Sequence, residues 1–140
     1  MFIDTHAHLQ WEDYKETRDK ILENARKANL KYILNIGTTL ETSQQSVELS
    51  HKHDDIFASV GIHPHEAHGV DETALKALKT LAHDPKVVAI GEIGLDFFYE
   101  HAPQETQIRA FREQIALAKA LGLPVSIHCR DAFADCFKLL

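Results

Sequence analysis

Five short apolar runs, each followed by a segment of helical character, constrain this chain more than any other feature. The runs are Phe2 to Thr5, Tyr32 to Ile36, Ile56 to Val60, Val87 to Ile90 and Val125 to His128. They are apolar throughout rather than alternating, the pattern of strands covered on both faces in a parallel sheet. The segments between them read as helices. After Trp11-Glu12-Asp13 a helical run extends to about Asn29, in which Tyr14, Ile21, Ala25 and Ala28 fall on one stripe with charged residues between them. Thr38 to His53 is less periodic, with Thr39 or Thr42 as its cap. Asp71 should cap a helix carrying Ala74, Leu75, Leu78 and Leu81, which Pro85 stops. Pro103 stands where a first helical turn tolerates proline, and Ile108, Phe111, Ile115 and Ala118 then give the strongest period in the chain. Gly122 ends that helix, and Asp131 should cap a last one that runs to Leu140. The class is α/β, and two architectures fit: an open doubly wound sheet or a (β/α)8 barrel. Neither a dinucleotide fingerprint nor a phosphate loop is present, because Gly91-Glu92-Ile93-Gly94 has the wrong spacing.

With 140 residues, 44% of them apolar, the chain is one domain or less and can bury a core. Its 15 basic and 21 acidic residues argue against holding nucleic acid through a broad basic face. They do not exclude a nuclease, since bound divalent metals supply local positive charge. Cys129 and Cys136 form neither a CxxC pair nor a framework of bridges, as in a reduced, intracellular protein. No leader-like segment opens the chain and no stretch approaches a membrane span, so a cytoplasmic protein without a membrane partner is expected.

Ten histidines are the unusual part of the composition, and several stand at strand ends. His6 and His8 are two residues apart, so along a strand both imidazoles leave the backbone on one side. Such a pair is half of a metal site, although two surface histidines at a frayed terminus would look the same. The third run ends in His63 and His65, the fourth in Glu92 with Asp96 beyond Gly94, and the fifth in His128 followed by Arg130. In a closed parallel sheet these ends meet at one mouth. Ligand chemistry then gives His6 and His8 one cation and His128 a second. Glu92 would bridge two cations about 3.5–4 Å apart and hold a hydroxide between them. Blander roles remain open. His128 could be a core histidine bonded to backbone, and His63 or His65 could cap a turn while the other touches phosphate. Arg130 could bind phosphate or pair with Asp131 or Glu92, and Asp96 could only anchor its loop. Cys129, opposite in parity to His128, should face the helices. His51, His53, His68, His83 and His101 read as surface residues.

The segments Asp4-Thr5-His6-Ala7-His8-Leu9, Gly61-Ile62-His63-Pro64-His65, Gly91-Glu92-Ile93-Gly94-Leu95-Asp96 and Ile127-His128-Cys129-Arg130-Asp131-Ala132 resemble the successive signatures of the TatD-like metal-dependent deoxyribonucleases. These are barrels within the wider amidohydrolase group, and the resemblance spans the whole chain. It implies a TIM-barrel type of fold, represented by its first five strands. It also implies a 3′-5′ exonuclease acting on single-stranded DNA ends with two divalent metals (Mg, Mn or Zn). His6, His8, Glu92 and His128 would be the metal ligands, with Glu92 the catalytic bridge. His63 would lie near the substrate phosphate, with His65 and Arg130 as further substrate contacts. The family takes one more histidine from strand six and an aspartate from strand eight to handle the attacking water. Such a barrel needs about 250 residues, so residues 1–140 read as a single unit, the N-terminal portion, with an incomplete site. Two other readings stand beside this one. The first is an amidohydrolase of cyclic amides, which often bridges its metals with a carbamoylated lysine on strand four; Val87 to Glu92 holds no lysine. The second is an inactive fragment that self-associates, or recruits a C-terminal half, through the open edges of strands one and five.

Overall fold

The computed structural model describes all residues, 1–140. Its strands are β1 (Phe2–Ala7), β2 (Leu30–Ile36), β3 (Ile56–Val60), β4 (Val87–Asp96) and β5 (Val125–Arg130). The helices are α1 (Arg18–Lys27), α2 (Leu40–Lys52), α3 (Glu72–Leu81), α4 (Gln104–Leu121) and α5 (Phe133–Leu139). Short 3-10 turns occupy Glu12–Tyr14 and Pro64–Gly69. All strand pairs are parallel, and the sheet order is β1-β2-β3-β4-β5. A doubly wound sheet reverses its strand order at a switch point. Here the order never reverses, so the fold is the α/β progression of a TIM-type barrel, carried through five strands. No helix is long and apolar enough to cross a membrane.

Local chemistry explains most boundaries. Thr39 and Thr42 form a reciprocal capping box: Thr42 N donates to Thr39 Oγ1 at 3.1 Å, and Thr39 N donates to Thr42 Oγ1 at 2.8 Å. Asp71 Oδ1 accepts from Ala74 N at 2.7 Å and opens α3. Gly122 closes α4 in the left-handed region, with φ 67°. The main core packs Phe111, Ile115 and Ala118 of α4 with Val60, Ile90, Ile93 and Leu95 of the sheet. A smaller cluster joins Leu9, Leu22, Ile33, Leu49 and Ile56.

The polar side chains of α4 are as consequential as its apolar ones. Gln107 and Gln114 are fully buried. Gln114 accepts from Ile62 N at 2.8 Å and donates to Ile62 O at 3.0 Å. Gln107 accepts from Asp96 N at 2.8 Å and donates to Asp96 O at 3.0 Å. Each amide acts as an extra peptide group, fixing the backbone where β3 and β4 run into the site.

Several expectations need correction. The first helical run is broken: a 3-10 turn precedes α1, Tyr14 is 38% exposed, and Leu22 carries the burial. Pro103 is the N-cap of α4 rather than a first-turn residue. Asp131 does not cap α5; it takes φ 53°, and Ala132 stands at the N-cap. β4 continues through both glycines to Asp96, because it pairs β5 as far as Asp96↔Arg130. The strands are not covered on both faces, and β1 is exposed along its length apart from half-buried Ala7. Ile33 packs on the helices, so its neighbours Tyr32 and Leu34 point to the opposite face. There they join Ile3, Phe57 and Val88 around an open apolar groove. A barrel fills its interior with side chains from every strand, and five strands do not enclose that space.

Candidate metal centre

His6 and His8 leave the C-terminal end of β1, and the loop after them is pinned to β2. Leu9 N donates to Asn35 Oδ1 at 2.7 Å, and Asn35 Nδ2 donates to Gln10 Oε1 and Ser46 Oγ, both at 2.8 Å. This buried amide network sets the direction of both rings. His8 Nδ1 lies 2.8 Å from Ile36 O, a partner that can only accept, so Nδ1 donates there and Nε2 is the nitrogen turned toward Glu92. That Nε2 lies 3.5 Å from Glu92 Oε2, and His6 Nε2 lies 3.3 Å from the same oxygen.

Glu92 is buried, 7% exposed, and its other oxygen faces a second pair of rings. His128 Nδ1 is 3.1 Å and His63 Nε2 3.8 Å from Glu92 Oε1. Two sets of donor atoms could therefore each hold a metal ion: His6, His8 and Glu92, and His63, Glu92 and His128. Glu92 belongs to both. The structure thus brings His6, His8, Glu92 and His128 together at one rim and adds His63 to them. Gly91 and Gly94 serve the strand pairing. A Cβ at Gly91 would meet Ser126 of β5 at 2.6 Å, and one at Gly94 would fall 1.9 Å from His128 O.

Asp96 does more than anchor a loop. It is fully buried; Oδ1 accepts from Phe98 N at 3.1 Å and Tyr99 N at 3.0 Å. Oδ2 lies 2.9 Å from both His65 Nε2 and His128 Nε2. The β4 parity pointed to this residue, but it could not show that one oxygen would take two rings. His65 is turned toward Asp96 and lines the cleft beside His63. His128 meets carboxylates on both nitrogens instead of the backbone. Arg130 pairs with neither Asp131 nor Glu92: it is exposed, its guanidinium 5.1 Å from the Tyr99 ring centre. His51, His68, His83 and His101 are exposed, and His53 is half-buried beside Arg26. Cys129 packs against the helix-side core, on the side its parity indicated.

The electrostatics suit cation binding. Burial pushes the Glu92 carboxyl up, but hydrogen bonds from His128 and His8 and the nearby His63 and His6 outweigh it, holding the group well below the carboxylate range. Burial likewise opposes Asp96, and the Tyr99 N–H with the His65 and His128 rings overcomes it. Burial lowers His63 to about 4 against the pull of Glu92, so its ring is neutral at pH 7; its Nδ1 caps the 3-10 turn by accepting from His65 N at 3.2 Å, which turns Nε2 toward Glu92. The hydrogen bond to Glu92 raises His128 despite burial, with Asp96 adding to the effect. A cation at His128 Nδ1 would have to displace that proton. The ionised Glu92 carboxylate shared by four imidazoles, one of them oriented by Ile36 O, forms a donor set that fits divalent metals.

A family model described as TatD related DNase matches residues 3–140. The chain belongs to that family. The metal-dependent hydrolase YabD of Bacillus subtilis is 39% identical over 140 residues, which cover all of this chain and 55% of YabD. The 3′-5′ ssDNA/RNA exonuclease TatD of Erwinia tasmaniensis is 39% identical over 131 residues, 93% of this chain and 51% of that protein. Among solved structures, the TatD homologue YJJV of Escherichia coli K12 superposes with TM-score 0.89 at 31% identity, over 96% of this chain and 53% of YJJV. A TatD family hydrolase of Entamoeba histolytica gives TM-score 0.87 at 29% identity, over 99% and 52%. The chain spans about half the length of the curated relatives it matches.

Proposed function

We propose that residues 1–140 form the N-terminal unit of a divalent-metal-dependent phosphodiesterase that trims single-stranded DNA from its 3′ end. One observation carries the reading: each oxygen of Glu92 faces its own pair of imidazoles, so a single buried carboxylate is shared by two three-ligand groups. His6 and His8 would hold one cation, His128 and His63 the other, with Glu92 between them as the bridge. Bound there, such ions polarise a phosphoryl oxygen and make a water acidic enough to attack it. Ile36 O fixes the His8 ring, and Asp96 holds both the His128 and His65 rings by their Nε2 atoms. His63, with its second assignment beside the phosphate, and His65 face the cleft from which a strand end would enter. Arg130, at the end of β5, is the remaining phosphate contact in this reading.

The rest of the ligand set, a histidine and an aspartate, would come from further β/α units on the unpaired edges of β1 and β5. Those edges, together with the open apolar groove, also favour self-association. An intracellular site of action accompanies the reading, supported by two free cysteines. The cyclic-amide alternative is disfavoured by Glu92 standing where a carbamoylated lysine would bridge; β4 holds no lysine.

The test uses manganese calorimetry and 3′-labelled single-stranded DNA. The chain should take up Mn2+ weakly, and Glu92→Gln should lower that affinity by more than about tenfold. Hydrolysis by the 140-residue chain alone should be slight, and should require Mn2+ or Mg2+. Strong cleavage in excess chelator, or metal uptake unchanged in Glu92→Gln, would remove the assignment. Preference for a cyclic amide over a phosphodiester would move it to the other hydrolase class.

A further inference from the structure

We infer that Trp11 is a stacking platform for a nucleobase, the subsite that seats the nucleotide next to the reacting phosphate. The inference rests on the nucleic-acid reading above and adds a residue to it. Trp11 is 40% exposed and is the one hydrophobic side chain lining a cleft of about 320 Å³ otherwise walled by polar groups, among them His63, Glu66 and Glu92. Its indole lies 4.5 Å from the His8 ring, centre to centre, with the two planes 5° apart. The indole lines the cleft beside a ring of the metal site, where a flat partner can lie against it.

The backbone that carries the indole is also fixed in advance. Trp11 N donates to His8 O at 3.3 Å, and Trp11 O accepts from Tyr14 N at 3.1 Å and from Arg18 Nη2 at 3.5 Å. A platform held in place loses little conformational entropy when a flat partner arrives. The charge of the cleft selects that partner. No lysine or arginine lines it and Glu66 adds negative charge, so away from the imidazoles it disfavours phosphate and favours an uncharged ring. His8 stands between the indole and Glu92, its Nε2 3.5 Å from Glu92 Oε2. A base on Trp11 can therefore place its own phosphate, one sugar away, toward the shared carboxylate. Stacking of this kind accepts any base, as trimming of strand ends requires.

Trp11 is the only tryptophan in the chain, so its emission reports on this subsite directly. The experiment titrates the 140-residue chain, with Mn2+ present, with a short phosphorothioate oligothymidylate labelled at its 5′ end. A matching strand whose 3′-terminal nucleotide is abasic is run in parallel. Anisotropy of the label reads binding, and tryptophan emission reads stacking. Binding should quench Trp11, the abasic end should bind about tenfold more weakly with little quenching, and Trp11→Ala should lose a similar factor while Trp11→Phe keeps most of the affinity. Equal binding of normal and abasic ends, or Trp11→Ala binding as the parent does, would overturn the inference while leaving the nucleic-acid reading intact. A strand that does not bind at all would overturn both. Loss of Mn2+ affinity in Trp11→Ala without any difference between the two strands would mean that Trp11 only props His8.

Discussion

Asp96 belongs to neither three-ligand group, yet it controls a ring that does. With its oxygen 2.9 Å from His128 Nε2, it leaves Nδ1 as the nitrogen facing Glu92. Replacing it by Asn should lower Mn2+ affinity by about 10–100-fold, as loss of an outer partner to a ligating histidine does. Calorimetry on Asp96→Asn checks this, and unchanged affinity would exclude the positioning role. His63 gives a pH dependence whose sign follows from burial. Its folded value of about 4 lies below the ordinary 6.5, so the unfolded chain binds a proton that the fold refuses. Metal-free stability should therefore fall as pH drops from 6.5 to about 4, and His63→Gln should flatten that slope in urea denaturation. Glu92 and Asp96 are shifted down, so their contribution is full above the ordinary carboxylate range and is lost as pH falls further. The raised His128 contributes below 6.5 and loses this as pH rises through its folded value. A parent slope between pH 4 and 6.5 that persists in His63→Gln would assign it to another group. His6, His8, Glu92 and His128 could be picked out of the sequence because strand parity aims them. His63 as a neighbour of Glu92, and the stacked Trp11, could not, because both depend on where a loop turns back.

The site's elements are held by close backbone approach as much as by apolar packing. Gly94 has φ 147°, and a Cβ there would fall 1.9 Å from His128 O. Gly94→Ala should therefore part β4 from β5 at the Gly94↔His128 pair and cost about 3 kcal/mol or more. Gly69→Ala, with nothing within 4 Å of the added atom, is the control expected to stay near the parent in thermal unfolding. Equal stability of the two variants would refute the close-approach argument. The periods of α3 and α4 and the caps at Thr39 and Asp71 were legible, because each is a signal carried within one turn of helix. The Asp131 cap failed because that residue takes a left-handed turn, and the first helix was overextended because Lys15 to Thr17 leave the helical stripe. Gln107 and Gln114 carry no apolar signal in the sequence; only contact with the chain where β3 and β4 run into the site reveals them as buried.

At the scale of the molecule, five parallel strands leave two unpaired edges and an apolar inner face. Ile3 is 57% exposed, and Tyr32 and Val88 are each 37% exposed on that face. Contiguous apolar surface of this kind drives association, so the purified chain should sediment as dimers or larger species. Tyr32→Lys with Val88→Lys should shift it toward monomer. A parent chain that stays monomeric at high concentration would show that the groove tolerates water. The sequence by itself determined the α/β class and the ionisable groups at the strand ends, because β-strand parity and helix periodicity are local rules; the pattern alone left a doubly wound sheet open, and the unreversed strand order came from the structure. Tertiary structure alone decided that Glu92 divides its oxygens between two imidazole pairs, that Asp96 grips two rings, and that Trp11 lies on His8. Those arrangements depend on the angle at which separate strands approach one another, and spacing along one chain carries no information about it.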